Sequence, residues 1–253
     1  MRTMTAPKTS HRPIGTRSMR FQIVDMIRGA AILGVVLFHF VWDLAFLGLT
    51  SPSIAAHPLW IAFGRGLAGT FMVLVGISLV LASRNGLNGR AFARRLLVLG
   101  LAASAITLVT RIVFPESYVY FGILHAIFAA SLLGAALLRL PIPLVLLLGL
   151  AVVAMGSLVE TPAFDRRWLA WIGFASSPAQ SNDFVPIFPW VGWTAFGIAV
   201  AKAGLARGWA DRLPAFDGSL ARALAWCGRW SLTIYLVHQP ILLAVLFPIS
   251  RLL

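Results

Sequence analysis

A chain of 253 residues that is 59% hydrophobic and only 11% charged is no soluble domain, since soluble domains carry charge on roughly a quarter of their residues. With a mean hydropathy of +0.87 it reads as an integral membrane protein, and its length counts membrane spans of about 20 residues each. The formal net charge of +13 does not indicate nucleic acid, because the basic residues fall between apolar segments without an aromatic or Gly-rich binding module. The single Cys227 excludes an internal disulfide framework and any cysteine-based metal cage, so no metal site is expected.

Residues 1–20 form a Thr/Pro/Arg/Ser stretch without an apolar core, expected to be a disordered cytoplasmic tail and not a signal peptide. Residues 21–253 read as one transmembrane domain. The fold class is all-α, a polytopic membrane helix bundle of about seven spans: 22–48, 59–82, 95–113, 119–138, 142–159, 185–202 and 230–249. Arg and Lys cluster in the tail and in the connections after the second, fourth and sixth spans, whereas the alternate connections hold Arg166 and Arg167 as their one clear basic pair. The positive-inside rule then places the N-terminus in the cytoplasm and the C-terminus outside, in the cell inner membrane with lipid as its surroundings. Residues 160–184 are rich in Trp and lie outside, as an interfacial helix around Trp168 and Trp171 or as a lid. On the inner side, Leu220–Trp226 reads as a short amphipathic surface helix.

The first span carries Asp25, Arg28, His39 and Asp43. An ionisable group at bilayer depth costs at least about 2.5–3.5 kcal/mol, so it generally has a partner or a function. At about 100° per residue, Arg28 and His39 lie roughly 20° apart on the helical wheel and Asp43 roughly 40° further round. Asp25 precedes Arg28 by one turn, so the four groups form one stripe. By topology, His39, Asp43, Arg65, His125 and His238–Gln239 all fall in the outer half or near the midplane, with Asp25 and Arg28 at the cytoplasmic mouth. Each has an ordinary structural explanation as well: an ion pair, a snorkelling Arg, a satisfied core His, a Pro-kink repair. His57, in the first outer connection, would ordinarily be solvated.

The run D-x-x-R-G-x-A-x(7)-H, present as Asp25, Arg28, Gly29, Ala31 and His39, resembles the first-helix signature of membrane acyltransferases. It is similar to two related families. One is the acyltransferase-three family of surface-sugar O-acylases. The other is named for heparan-alpha-glucosaminide N-acetyltransferase. The second resemblance extends along the chain through F-M-V-L-V-G-I-S-L, F-G-I-L-H-A-I, F-P-W-V-G-W-T-A-F-G-I-A and W-S-L-T-I-Y-L-V-H-Q-P. It implies transfer of an acyl group, most simply acetyl from acetyl-CoA, to a hydroxyl or amine of a sugar-like acceptor outside. His39 falls on the histidine thought catalytic in the first family. The second family offers His57 as the alternative catalytic position. Asp43 is expected to orient His39; Asp25, Arg28, Arg65, His125, His238 and Gln239 are expected to contact the substrates. The chain has fewer spans than longer members, which makes a homo-oligomer a candidate arrangement. Residue chemistry alone leaves two other classes open: a small-solute or proton-coupled transporter using the same stripe, and a non-catalytic membrane partner that keeps it as structural pairs.

Overall fold

Caps and prolines decide where the helices begin. The computed structural model describes residues 16–209 and 216–252, with side chains from residue 22 onward. The tail expected over residues 1–20 lies outside the described residues as far as residue 15, and the first helix, α1, runs Thr16–Phe46. A four-residue helix α2 (Pro52–Ala55) follows. Next comes α3 (Pro58–Ala82), whose N-cap is His57 with Pro58 at the first position, where a missing N–H costs nothing. Asn88 caps α4 (Gly89–Val113) by accepting from the Ala91 N–H at 3.1 Å. Further α-helices among the described residues are α5 (Ile123–Leu137), α6 (Ile142–Leu158), α7 (Arg167–Ala170), α8 (Ile187–Ala206), α9 (Ser219–Arg229) and α10 (Ser231–Ser250), with a 3-10 turn at Pro162–Phe164. The described residues are helical with no strand; only two isolated bridges occur, Phe121 to Phe184 and Thr161 to Ala175.

Each of the seven expected spans contains one helix, but they are unequal. Four are long and apolar enough to cross a membrane: residues Gln22–Phe46, Pro58–Ala82, Gly89–Val113 and Ser231–Ser250. At 15 and 17 residues, α5 and α6 reach only about 22–26 Å, short of the ~30 Å hydrocarbon core. In α8, Phe188 precedes a proline and takes extended dihedrals (φ −92°, ψ 132°), which breaks the helix near its start.

Helices α1, α3, α5 and α4 pack in that order, and α10 packs on α1, so that the five surround a common centre as a ring. Leu232 and Tyr235 of α10 pack against the cluster that Leu99, Ala102 and Ala103 of α4 form with Leu124 of α5. Helix α8 backs α3 and α5, and α6 backs α8. Two contacts are so close that only glycine fits. A Cβ on Gly29 would lie 1.9 Å from the Leu224 carbonyl oxygen, and one on Gly228 would lie 1.8 Å from that of Asp25. Helix α9 is therefore locked backbone to backbone onto α1, beyond what its amphipathic pattern suggested. Gly76 and Gly197 do the same between α3 and α8, each facing a carbonyl at 2.1 Å. On the outside of α4, Leu97, Leu101, Leu108 and Ile112 are exposed at one-face spacing, an apolar stripe suited to lipid.

The connection 159–186 folds back over the ring. It is tied to the α4–α5 connection by Asn182 N–H to Ser117 C=O (2.8 Å), Val185 N–H to Phe121 C=O (3.0 Å) and Tyr120 O–H to Ala179 C=O (3.0 Å). Burial pushes the Tyr120 hydroxyl up to about 12, so it remains a donor at any ordinary pH. Arg167 donates to the Glu116 carbonyl at 2.5 Å and stacks over Tyr118 at 4.7 Å. Both features expected for this segment are present: its backbone is tied across to the α4–α5 connection, and the short helix α7 carries an exposed Trp168.

Candidate functional site

A cavity of about 590 Å³ occupies the middle of the ring, within the range typical of small-molecule sites. At one end stand Arg28, Ser78, Arg95 and Arg229; at the other stand His39, Arg65, Asn182 and Asp183, and apolar side chains such as Ile32, Leu74 and Leu124 line the stretch between.

At the arginine end, Arg28 donates to Asp25 Oδ1 at 2.7 Å and to Ser78 Oγ at 2.9 Å, so one guanidinium links α1 to α3. The Asp25–Arg28 pair is thus the expected one-turn ion pair. Arg95 and Arg229 add two further guanidiniums to the same wall, from α4 and α9. Their forks suit bidentate binding of phosphate oxygens.

At the lid end, His39 faces the cavity, and its ring lies 4.9 Å from that of His238. Asp43 does not bond His39 along their helix. The 40° step between positions i and i+4 turns it out of the cavity and onto α10, where its Oδ1 accepts from Gln239 Nε2 at 2.6 Å. Asp43 is 0% exposed. The His238 Nδ1–H donates to the Tyr235 carbonyl at 2.7 Å, which leaves Nε2 as the acceptor in the neutral ring. Among the described residues, Asp43 Oδ2, Gln239 Oε1 and His238 Nε2 are buried without a hydrogen-bond partner. Trp60 Nε1 and Arg167 Nε share that property, so the three atoms mark polar capacity beside His39 and not a function by themselves.

Two of the sequence-selected residues stand apart from this cluster. His57 is exposed and does not line the cavity; its Nδ1 accepts from the Leu59 N–H at 3.3 Å as the cap of α3. His125 also lies off the cavity wall. Its Nδ1 accepts from the Gly122 N–H at 3.2 Å. Its Nε2 lies 3.2 Å from Thr107 Oγ1, whose own hydrogen goes to the Val119 carbonyl at 2.7 Å. His125 therefore donates from Nε2, and both its nitrogens are spent holding the start of α5 to α4. Arg65 lines the lid end as an exposed side chain.

Asp183 and Tyr235 escaped the sequence reading. Asp183 Oδ2 accepts from the Ile123 N–H at 2.8 Å and from the Tyr235 hydroxyl at 3.1 Å, and both residues line the cavity. The available signal was a lone carboxylate in N-D-F-V-P-I-F-P-W, immediately before an apolar run, which a topology argument assigns to the outer loop and passes over. No group of three or more His, Cys, Asp or Glu among the described residues is arranged to hold a metal ion.

A helical bundle with apolar outer faces and a polar-ended cavity through its middle defines a membrane protein with an internal site. A model of the family described as heparan-alpha-glucosaminide N-acetyltransferase, catalytic, matches residues 20–240, and the chain belongs to that family. Membership points to membrane acetyltransferase activity. The match runs from α1 to Pro240, so it takes in His39, Asp43, Asp183, His238 and Gln239. No curated protein and no solved structure matches the chain.

Proposed function

We propose that the protein transfers an acetyl group from acetyl-CoA, entering from the cytoplasmic side, to a hydroxyl or amine of a sugar-like acceptor on the outer side of the inner membrane. The observation that carries this is the single cavity that joins a wall of three guanidiniums to the His39 end. The arginine end fits the anionic part of a CoA donor, with Arg28, Arg95 and Arg229 as its contacts. The donor supplies a thioester-activated acetyl group.

The chain's own residues then do the following. His39 takes the proton from the acceptor hydroxyl or amine as it attacks the thioester carbonyl; the C–S bond then breaks, and the CoA thiolate leaves with that proton returned from His39, a role that matches an imidazole facing the cavity. His238, 4.9 Å away by ring centroid, and the Asp43–Gln239 pair behind it form the polar backing that lets a proton be held at this depth. The apolar stretch between the two ends excludes water, which favours transfer over hydrolysis of the thioester. His57, at the cap of α3, has no contact with the cavity, so His39 is the base in this reading.

The test is donor binding by the purified full chain in detergent. CoA is expected to raise the melting temperature, and the Arg95→Ala, Arg229→Ala double variant is expected to lose most of that rise. Solute-driven proton flux in liposomes without any CoA effect would instead favour transport along the same polar stripe.

A further inference from the structure

The cavity wall carries four arginines, at positions 28, 65, 95 and 229, but among the described residues only one carboxylate, Asp183. We propose that Asp183 anchors the acceptor: the protein fixes one of its oxygens, and the other takes a hydrogen-bond donor of the sugar-like acceptor, a hydroxyl or an amine. This rests on the acetyltransferase reading and names the residue that recognises its second substrate.

The geometry separates the two oxygens. Oδ2 receives the Ile123 N–H at 2.8 Å and the Tyr235 hydroxyl at 3.1 Å, one donor from the first turn of α5 and one from α10. The fit is tight: a Cβ on Gly122 would lie 2.2 Å from that oxygen. Oδ1 has no hydrogen-bond partner among the described residues, yet it is not enclosed by protein as Asp43 Oδ2 is, because Asp183 opens onto the cavity. A carboxylate half satisfied and held in place by Ile123 and Tyr235 is an acceptor prepared for a ligand's donor. Its position relates it to the chemistry. The Tyr235 ring lies 5.5 Å from that of His238, which lies 4.9 Å from that of His39. Asp183 and His39 line the same cavity, so an acceptor held by the first occupies the space that the second faces. Tyr235 acts through Asp183 and is a positioning residue.

Asp183→Asn distinguishes anchoring from a merely structural tie. The amide carbonyl can still receive Ile123 and Tyr235, while its NH2 group turns the cavity-facing acceptor into a donor. The experiment is thermal stabilisation of the full-length chain in detergent by glucosamine, by glucose and, separately, by CoA. The wild type is expected to be stabilised by glucosamine. Asp183→Asn is expected to melt as the wild type does without ligand and to keep the CoA shift. It is also expected to need at least about tenfold more sugar for half its effect. Stabilisation by glucosamine alone identifies an ammonium as the donor, and stabilisation by both sugars identifies hydroxyls. The proposal is overturned if Asp183→Asn responds to the sugars like the wild type, or if neither sugar stabilises the wild type. Should Asp183→Asn not fold, Tyr235→Phe decides: it keeps the Ile123 bond, and an undiminished sugar response overturns the proposal. A missing CoA shift in the wild type counts against the acetyltransferase reading alone, and the sugar arms still judge Asp183.

Discussion

His39 and Asp43 are four residues apart, and that spacing suggested one hydrogen-bonded pair. The protein splits them: His39 faces the cavity, and Asp43 reaches Gln239 on another helix. The 40° offset built into every i, i+4 pair is enough to put one residue in the site and the other in its support. Replacing His39 by Ala should lower acetyl transfer by about 10²- to 10⁴-fold, the usual span for a lost general base, with CoA stabilisation intact. Kinetics and melting curves on the same preparation check this, and full turnover in His39→Ala would remove His39 from the mechanism. The polar residues of α1 and α10 were legible because each stands out in an apolar run. His125 was legible as polar but not as already satisfied, since its partners Thr107 and Gly122 come from a neighbouring helix and a turn. Asp183 was hidden for the opposite reason: a carboxylate in a loop carries no cost until the loop is seen to enter the ring.

At the level of elements, helix–helix contact in lipid depends on close approach more than on apolar pattern, because lipid is as apolar as the side chains. Gly29 belongs to the R-G pair of the first-helix signature, and its backbone lies against Leu224 of α9. Gly29→Ala places a methyl group 1.9 Å from a backbone oxygen that cannot move alone. It should destabilise the protein by about 1–3 kcal/mol, read as a lower melting temperature in detergent, with the arginine end and hence CoA affinity disturbed as well. The lid is held by single hydrogen bonds. Tyr120→Phe removes the donor to Ala179 and should weaken the lid by about 0.5–1.5 kcal/mol, visible as faster amide hydrogen exchange in residues 175–183. The ties of this segment to the α4–α5 connection were not legible, since sequence shows aromatic content but not which backbone groups a loop will bond.

For the whole molecule, each apolar run read as a span holds a helix, but only four of those helices are long and apolar enough to cross a membrane; α5 and α6 are short, and α8 is broken at Phe188. Orientation remains a prediction from charge, and the single cysteine tests it. Cys227, partly exposed on α9, should react with a membrane-impermeant thiol reagent in inside-out vesicles and not in intact cells. Labelling from the outside would invert the topology and exchange the donor and acceptor ends. The most direct measurement of the central claim uses the full chain in liposomes, with labelled acetyl-CoA on the Cys227 side and glucosamine on the opposite side. Acetylated sugar appearing opposite the donor, and absent with His39→Ala, is the predicted result. Acetyl label that never leaves CoA, in protein that binds both substrates, would contradict the account.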